Sequence, residues 1–287
     1  MIFVKNYRDN DKFRSSFNEL AGKTFGLNFE DWYQNRYWTH KYNPYSMIEN
    51  GKVIANVSVN LCDYLWKGKR WKFIQLGTVM TDEEYRNRGL IRQLMGEIDK
   101  DYSEIVDGIF LFANDEVLDF YPKFGFQRSG EYEYVKNVMN TQECSIEKVP
   151  MKSKEQWDML EKRINNCAAY SAFEPVGYSE LFMFYITKFM QDTVYYCKEQ
   201  DAYVIAEVED SQLILHGVFA KQECDLDKVI AAFGKEINKV RLTFAPIKKE
   251  GYEVLPYRAE DCTLFIKGES FEDFMTDRVR FPELAHA

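Results

Sequence analysis

The chain has 287 residues, enough for two domains of the usual ~150 residues or one unusually large one. Apolar residues make up 46% and charged residues 29%, a balance that excludes a disordered chain, and no apolar run approaches the ~18 residues a bilayer span needs. A net charge of −9 argues against a general nucleic-acid or other polyanion binder, which would need clustered Lys and Arg.

Residues 1–10 carry no basic region followed by an apolar stretch, so the expected location is the cytosol, with no membrane attachment. Six cysteines, at 62, 144, 167, 197, 224 and 262, form no C-x-x-C pair and are expected to be buried reduced thiols. The three histidines, His40, His216 and His286, never fall at i, i+4, and no metal is expected.

Residues 11–42 predict two helices. Asp11 is placed to cap one carrying Phe13, Phe17 and Leu20, and Asn28 or Glu30 starts another carrying Trp32, Tyr33 and Tyr37. Strand chemistry follows: Tyr45 to Ile48, a turn at Asn50-Gly51, a β-branched run from Val53 to Leu61, a turn at 67–69, and Trp71 to Thr81. This part of the sheet is expected to be antiparallel. The period then changes, since Leu90, Ile91, Leu94, Met95 and Ile98 share one helical face. A buried strand at Ile109–Asn114 and a closing strand at Tyr132–Val135 complete an α+β unit over 1–140.

Residues 141–154 are polar, contain Pro150, and are expected to form a linker to a second, smaller α+β lobe over 155–287. That half repeats the order of elements: helices at 156–165 and 178–190, a hairpin over 194–220, a helix capped by Asp225, and strands at 240–244 and 263–266. Val53-Ile-Ala-x-Val57 recurs as Val204-Ile-Ala-x-Val208, and Leu111-Phe-Ala113 is echoed by Thr243-Phe-Ala245, which points to an eroded internal duplication.

Several motifs fail. Gly22-Lys23-Thr24 lacks the earlier glycine of a phosphate loop, and there is neither G-x-G-x-x-G after a strand nor a G-x-S-x-G elbow. One segment does carry chemistry: Val79-Met-Thr81, an acidic turn, then Arg86-Asn-Arg-Gly89-Leu-Ile-Arg92 opening a helix. The first turn of a helix has unpaired N–H groups at the positive end of its dipole, which suits a pyrophosphate. Gly89 allows close approach without a Cβ, and Arg86, Arg88 and Arg92 add guanidinium charge.

Together with Asn114, Tyr121 and Gly125-Phe126, this segment resembles the GNAT family of acyl-coenzyme A dependent N-acetyltransferases, in its two-lobed branch similar to the mycobacterial enhanced-intracellular-survival acetyltransferases. The family's Q/R-x-x-G-x-G/A reads Arg86-Asn-Arg-Gly89-Leu-Ile91, with β-branched Ile91 in place of the last small residue. The resemblance covers roughly residues 1–140; over 150–287 it rests on the order of elements and the two short matches. It implies an α+β fold with a mixed, mostly antiparallel sheet flanked by helices, followed by a degenerate GNAT-like repeat. Lys221 to Val229 shows no arginine-glycine knot, so only the first lobe is expected to bind cofactor.

What the resemblance implies chemically is transfer of an acetyl group from acetyl-CoA to a primary amine, on a small molecule or a peptide, by direct attack in a ternary complex. Val79, Met80, Thr81, Arg86, Asn87, Arg88, Gly89, Leu90, Ile91, Arg92 and Asn114 are its candidate cofactor-binding residues. Tyr121 is its candidate general acid. The N–H of Met80 is the expected group to polarise the thioester carbonyl. Glu30, Asp31 and Asp63 are the positions considered for a base, and Trp32, Trp38 and Tyr42 are placed to face a cationic amine. Two other readings stand beside it: a non-catalytic acyl-CoA-binding or sensing module, and a scaffold with an aromatic docking surface. Oligomeric state is not readable from the sequence.

Overall fold

The computed structural model describes residues 1–287. In chain order the elements are β1 (Ile2–Lys5), α1 (Asp11–Phe25), α2 (Glu30–Gln34), β2 (Tyr42–Glu49), β3 (Lys52–Trp66), β4 (Lys69–Thr81), α3 (Leu90–Tyr102), β5 (Gly108–Ala113), β6 (Gln127–Arg128) and β7 (Glu131–Asn137). Then come β8 (Glu147–Lys148), α4 (Lys154–Ile164), β9 (Phe173–Val176), α5 (Ser179–Lys188), β10 (Val194–Cys197), β11 (Ala202–Glu209), β12 (Gln212–Ala220), α6 (Leu226–Ala232), β13 (Lys239–Leu242), β14 (Glu253–Tyr257) and β15 (Thr263–Lys267).

Local sequence explains the first sheet. Asn50 (φ 50°) and Gly51 (φ 75°) make the two-residue turn with both φ angles positive that matches strand twist, as do Lys67 (φ 51°) and Gly68 (φ 73°). These turns fold β2, β3 and β4 into an antiparallel meander. Helix α1 is capped by Asn10, whose side chain accepts from Phe13 N–H at 3.1 Å, rather than by Asp11, which is the first helical residue. Helix α2 ends at Gln34, so Tyr37 lies beyond it. In α3, Leu90, Leu94 and Ile98 are buried at i, i+4 spacing against the sheet, while Ile91 is half-buried.

The two sheets share one topology. The first runs β1-β2-β3-β4-β5-β15-β6, with β9 pairing to the far part of β3, and the second runs β8-β10-β11-β12-β13-β7-β14. Each is antiparallel except for one parallel pair, β4 with β5 and β12 with β13. Of the repeated fragments, 53–57 and 204–208 fall on the matching strands β3 and β11, whereas 111–113 ends β5 and its echo at 243–245 lies just beyond β13.

The closing strands are exchanged. Residues 131–137, expected to complete the first unit, pair instead with β13 and β14 of the second sheet. The first sheet takes its closing strand from near the other end of the chain, β15, which lies between β5 and β6. The polypeptide therefore crosses the expected boundary near residue 140 in both directions, and part of the expected linker, β8, is itself an edge strand of the second sheet.

Packing follows from the exchange. A core of 57 buried residues runs through both lobes, so no solvent layer separates them, and a second core of 18 residues fills the face of the first sheet under α3. All six cysteines are free; Cys144 is exposed and Cys167, Cys224 and Cys262 only partly covered, against the expectation that all are buried. No helix is long and apolar enough to cross a membrane.

Candidate functional site

The site begins where two parallel strands part. Pairing of β4 with β5 ends at Leu76 opposite Leu111. Beyond it β4 bulges: Gly77 pairs with Ser58 and Met80 with Asn56, leaving Thr78 and Val79 against Val57 alone. Thr78 holds φ 48°, a left-handed conformation that a β-branched residue adopts only under constraint. The constraint comes from two sides, for Asn56 Nδ2 donates to Thr78 O at 2.9 Å and Tyr42 Oη lies 2.8 Å from Thr78 Oγ1.

The gap left by this divergence opens into a cleft of about 950 Å³. Every predicted site residue lines it: Val79, Met80, Thr81, the run Arg86 to Arg92, Asn114 and Tyr121. Helix α3 meets the cleft with its N-terminus. Gly89 at φ 73° is its N-cap and supplies no side-chain acceptor, the first turn holds no acidic residue, and the N–H groups of Leu90, Ile91 and Arg92 have no acceptor in the protein. Asn87, at φ 63°, helps to turn the chain there.

The arginines are held differently. Arg88 donates to Glu84 O at 2.7 Å and covers Tyr85, Arg92 lies over the Phe124 ring, and Arg86 is exposed with a loose 3.6 Å pair to Glu83. Asn114 uses its amide donor on Asp261 at 2.9 Å, and Asp261 also accepts from Asp115 N–H at 2.7 Å. Asp261 thus fixes the loop after β5 from a distant part of the chain, a role without any local sequence signal.

Tyr121 is buried against Phe126 and Phe265. Burial alone pushes its phenol up to about 12, so the hydroxyl stays protonated at neutral pH. Two other expectations are corrected. Asp82 N–H donates to Ile54 O, and the two-residue alternation of a strand then turns Met80 N–H toward Asn56 on β3; the groups facing the gap are those of Val79 and Thr81. Of the aromatics, Trp32 and Tyr42 reach the cleft, but Trp38 is enclosed by Phe17, Trp32 and Tyr42.

None of the carboxylates considered as bases lines the cleft. Glu30 is held by Arg14 at 2.9 Å, which keeps its carboxyl below the usual range despite partial burial, and Asp63 pairs with Arg70. Sequence reading missed the second lobe's contribution. Leu181, Phe184 and Tyr185 of α5 form part of the wall, with Ala287, whose main-chain oxygen accepts from Gln75 Nε2 at 3.4 Å.

The equivalent gap in the second sheet is closed by the chain itself. Ala168 N–H donates to Ala220 O at 2.8 Å and Ala172 N–H to Ala245 O at 2.8 Å, so the segment 168–172 bridges the strands that part there. The space left beside it is about 100 Å³.

Residues 8–129 match the family model described as an acetyltransferase (GNAT) domain. The first lobe is a GNAT domain. Its match spans the bulged strand, the helix that starts at Gly89 and Tyr121, and it supports an acyltransferase activity. Solved structures share the two-lobed fold beyond that domain. A probable N-acyltransferase from Enterococcus faecalis is 13% identical, covering 95% of this chain and 74% of that one, with a TM-score of 0.58. Eis1 from Mycobacterium abscessus is 13% identical over 96% of this chain and 76% of that one, TM-score 0.58. A GCN5-related N-acetyltransferase from Kribbella flavida is 13% identical over 92% and 71%, TM-score 0.54. Comparison with curated proteins gives no match. At such identities the likeness concerns the fold; the GNAT domain's chemistry has to be argued from its own residues.

Proposed function

We propose that the chain transfers an acetyl group from acetyl-CoA to a primary amine by direct attack within a ternary complex. One observation carries this reading: the unpaired N-terminus of α3, the open edge of β4 and the Tyr121 side chain all face a single cleft. The residues fit the cofactor, since an uncapped helix start free of carboxylates and flanked by Arg86, Arg88 and Arg92 suits a diphosphate. Acetyl-CoA, when bound, would supply the activated thioester.

The chain's own groups divide the work. N–H groups of Leu90, Ile91 and Arg92 bind the diphosphate. Val79 and Thr81 offer backbone groups to the pantetheine amides in the manner of an added strand, and one of their N–H groups polarises the acyl carbonyl. Tyr121 holds a proton for the departing sulfur, and the proton that the attacking nitrogen sheds passes to water in the open cleft. A phenol near 12 is a weak acid, but a thiolate forming in the same desolvated cleft is also raised above its usual ~8.5, which narrows the gap between donor and acceptor.

Calorimetry with coenzyme A, run beside thiol release from acetyl-CoA over a panel of amines, tests the reading. Micromolar uptake together with amine-dependent thiol release is expected. Uptake without thiol release on any amine would favour a sensing module, and no uptake would remove the cofactor assignment.

A further inference from the structure

We infer that Asn56 of β3 is a positioning residue for acyl transfer: it aims the N–H of Val79, and through that N–H the polarisation of the thioester carbonyl. The inference rests on the acyl-transfer reading above and assigns its carbonyl donor.

A trans peptide carries its C=O and N–H on opposite sides, and no peptide bond in the chain is cis. Between Thr78 and Val79 the oxygen is held, since Asn56 Nδ2 donates to Thr78 O at 2.9 Å. The N–H of Val79 therefore points away from Asn56 and β3, to the side on which β5 has parted. Val79 lines the cleft there. Turning this peptide over would exchange the two groups and set a carbonyl oxygen against the acyl carbonyl, repelling the charge that the N–H attracts.

Asn56 is itself fixed. Its Oδ1 accepts from Ser46 Oγ at 2.8 Å, and its Nδ2 donates a second bond to Ser58 Oγ at 2.9 Å. With the Ser46 proton used on Asn56, Tyr7 Oη is the donor to Ser46 Oγ at 2.6 Å. A backbone oxygen only accepts, so the atom facing Thr78 has to be the amide nitrogen, which determines the direction of the side chain. Tyr7, Ser46, Asn56 and Ser58 are all buried.

A buried polar chain of this kind stabilises a sheet no more than apolar side chains of the same shape would, because its bonds replace bonds to water. This one ends on the single left-handed residue of β4, a threonine held again by Tyr42 Oη at 2.8 Å. Straight pairing of β4 with β3 would need neither the chain nor the strained residue. Buried polar groups that converge on one constrained peptide serve its orientation.

The test uses the full chain and acetyl-CoA labelled with carbon-13 at the acyl carbonyl, whose stretching frequency falls when the oxygen accepts a hydrogen bond. Binding to the unaltered protein should lower that frequency. Asn56→Leu, which keeps the branched shape without the donor, should return it to the free value, and Ser46→Ala, which removes only a support of Asn56, should return it part of the way. With the best amine of the panel, Asn56→Leu should lower kcat by about 10²-fold, the cost of losing one oxyanion donor, and Ser46→Ala several-fold, while affinity for coenzyme A without an acyl group changes by less than about threefold. If Asn56→Leu does not fold, Ser46→Ala decides alone.

A frequency and a kcat unchanged in the variants, with only thermal stability lowered, would assign the network to folding and overturn the proposal. Coenzyme A affinity that falls in step with kcat would overturn it as well, because the network would then prop the gap open without aiming one group. Thiol release on no amine, in unaltered protein that still binds acetyl-CoA, overturns the transfer reading and this proposal with it.

Discussion

Tyr42 Oη lies 2.8 Å from Thr78 Oγ1, joining the start of β2 to the one left-handed residue of β4. The bond helps hold the bulge that parts β4 from β5, so the gap depends on a hydroxyl two strands away. Tyr42 is buried, which pushes its phenol up to about 12 and leaves it a hydroxyl at any working pH. Tyr42→Phe should cost about 1 kcal/mol of stability, the net worth of one hydrogen bond, and should weaken coenzyme A binding measurably. Denaturant midpoints and calorimetry check both; unchanged affinity would detach Tyr42 from the gap.

Tyr121→Phe should lower kcat by about 10²-fold with cofactor affinity nearly unchanged, because a positioned acid acts in the chemical step. Thiol-release kinetics beside a binding isotherm separate the two effects. A variant with full turnover would remove Tyr121 from proton transfer.

Gly89→Ala tests the helix start by backbone conformation. A Cβ there meets nothing within 4 Å, so steric crowding is not the issue; the φ of 73° is. A left-handed alanine costs roughly 1–2 kcal/mol, and relaxation of the turn should tilt the N–H groups of Leu90 to Arg92 away from a bound diphosphate. Lower thermal stability together with at least tenfold weaker coenzyme A binding is the expected result. Stability loss with affinity intact would mean that the diphosphate sits elsewhere.

The exchange of β7 and β15 predicts that the lobes do not separate. A fragment of residues 1–140 lacks β15, so one edge of β5 is left without its partner and Phe265 is missing from the core under α3. That fragment should aggregate or show no thermal shift with coenzyme A, while the full chain unfolds in one transition. A fragment that binds as tightly as the full chain would refute the dependence.

Stability should fall as pH rises from about 6.5 to 8. Burial pushes Glu174 up to about 8, with Tyr170 and Ser171 N–H groups opposing, and pushes Glu131 up to about 7, with Arg280 opposing. For His216, burial works downward, but Glu207 and Glu283, each 3.6 Å from a ring nitrogen, raise it. All three bind more protons folded than unfolded in this window, so their stabilisation is lost with rising pH. His286, lowered by burial to about 4, binds fewer and has the opposite effect, confined to the range below about 6.5. Glu174→Gln should flatten the decline, as seen in unfolding free energies at several pH values; an unchanged slope would show that Glu174 is ionised in the folded protein.

The sequence by itself determined what neighbouring residues decide. Period-2 runs and the Asn50-Gly51 turn specified the meander, the spacing of Leu90, Leu94 and Ile98 specified α3, and Gly89 with its arginines marked the anion-ready start, because each signal is contained within a few residues. Tertiary structure decided what depends on partners. Nothing in residues 131–137 tells a strand which sheet will take it, since both edges offer the same backbone groups and an apolar face. Thr78 gave no sign of a left-handed bulge, because its constraint comes from Asn56 and Tyr42. The second lobe's share of the cleft wall was equally hidden, for Phe184 meets Phe29 and Trp32 only once the two lobes share a core.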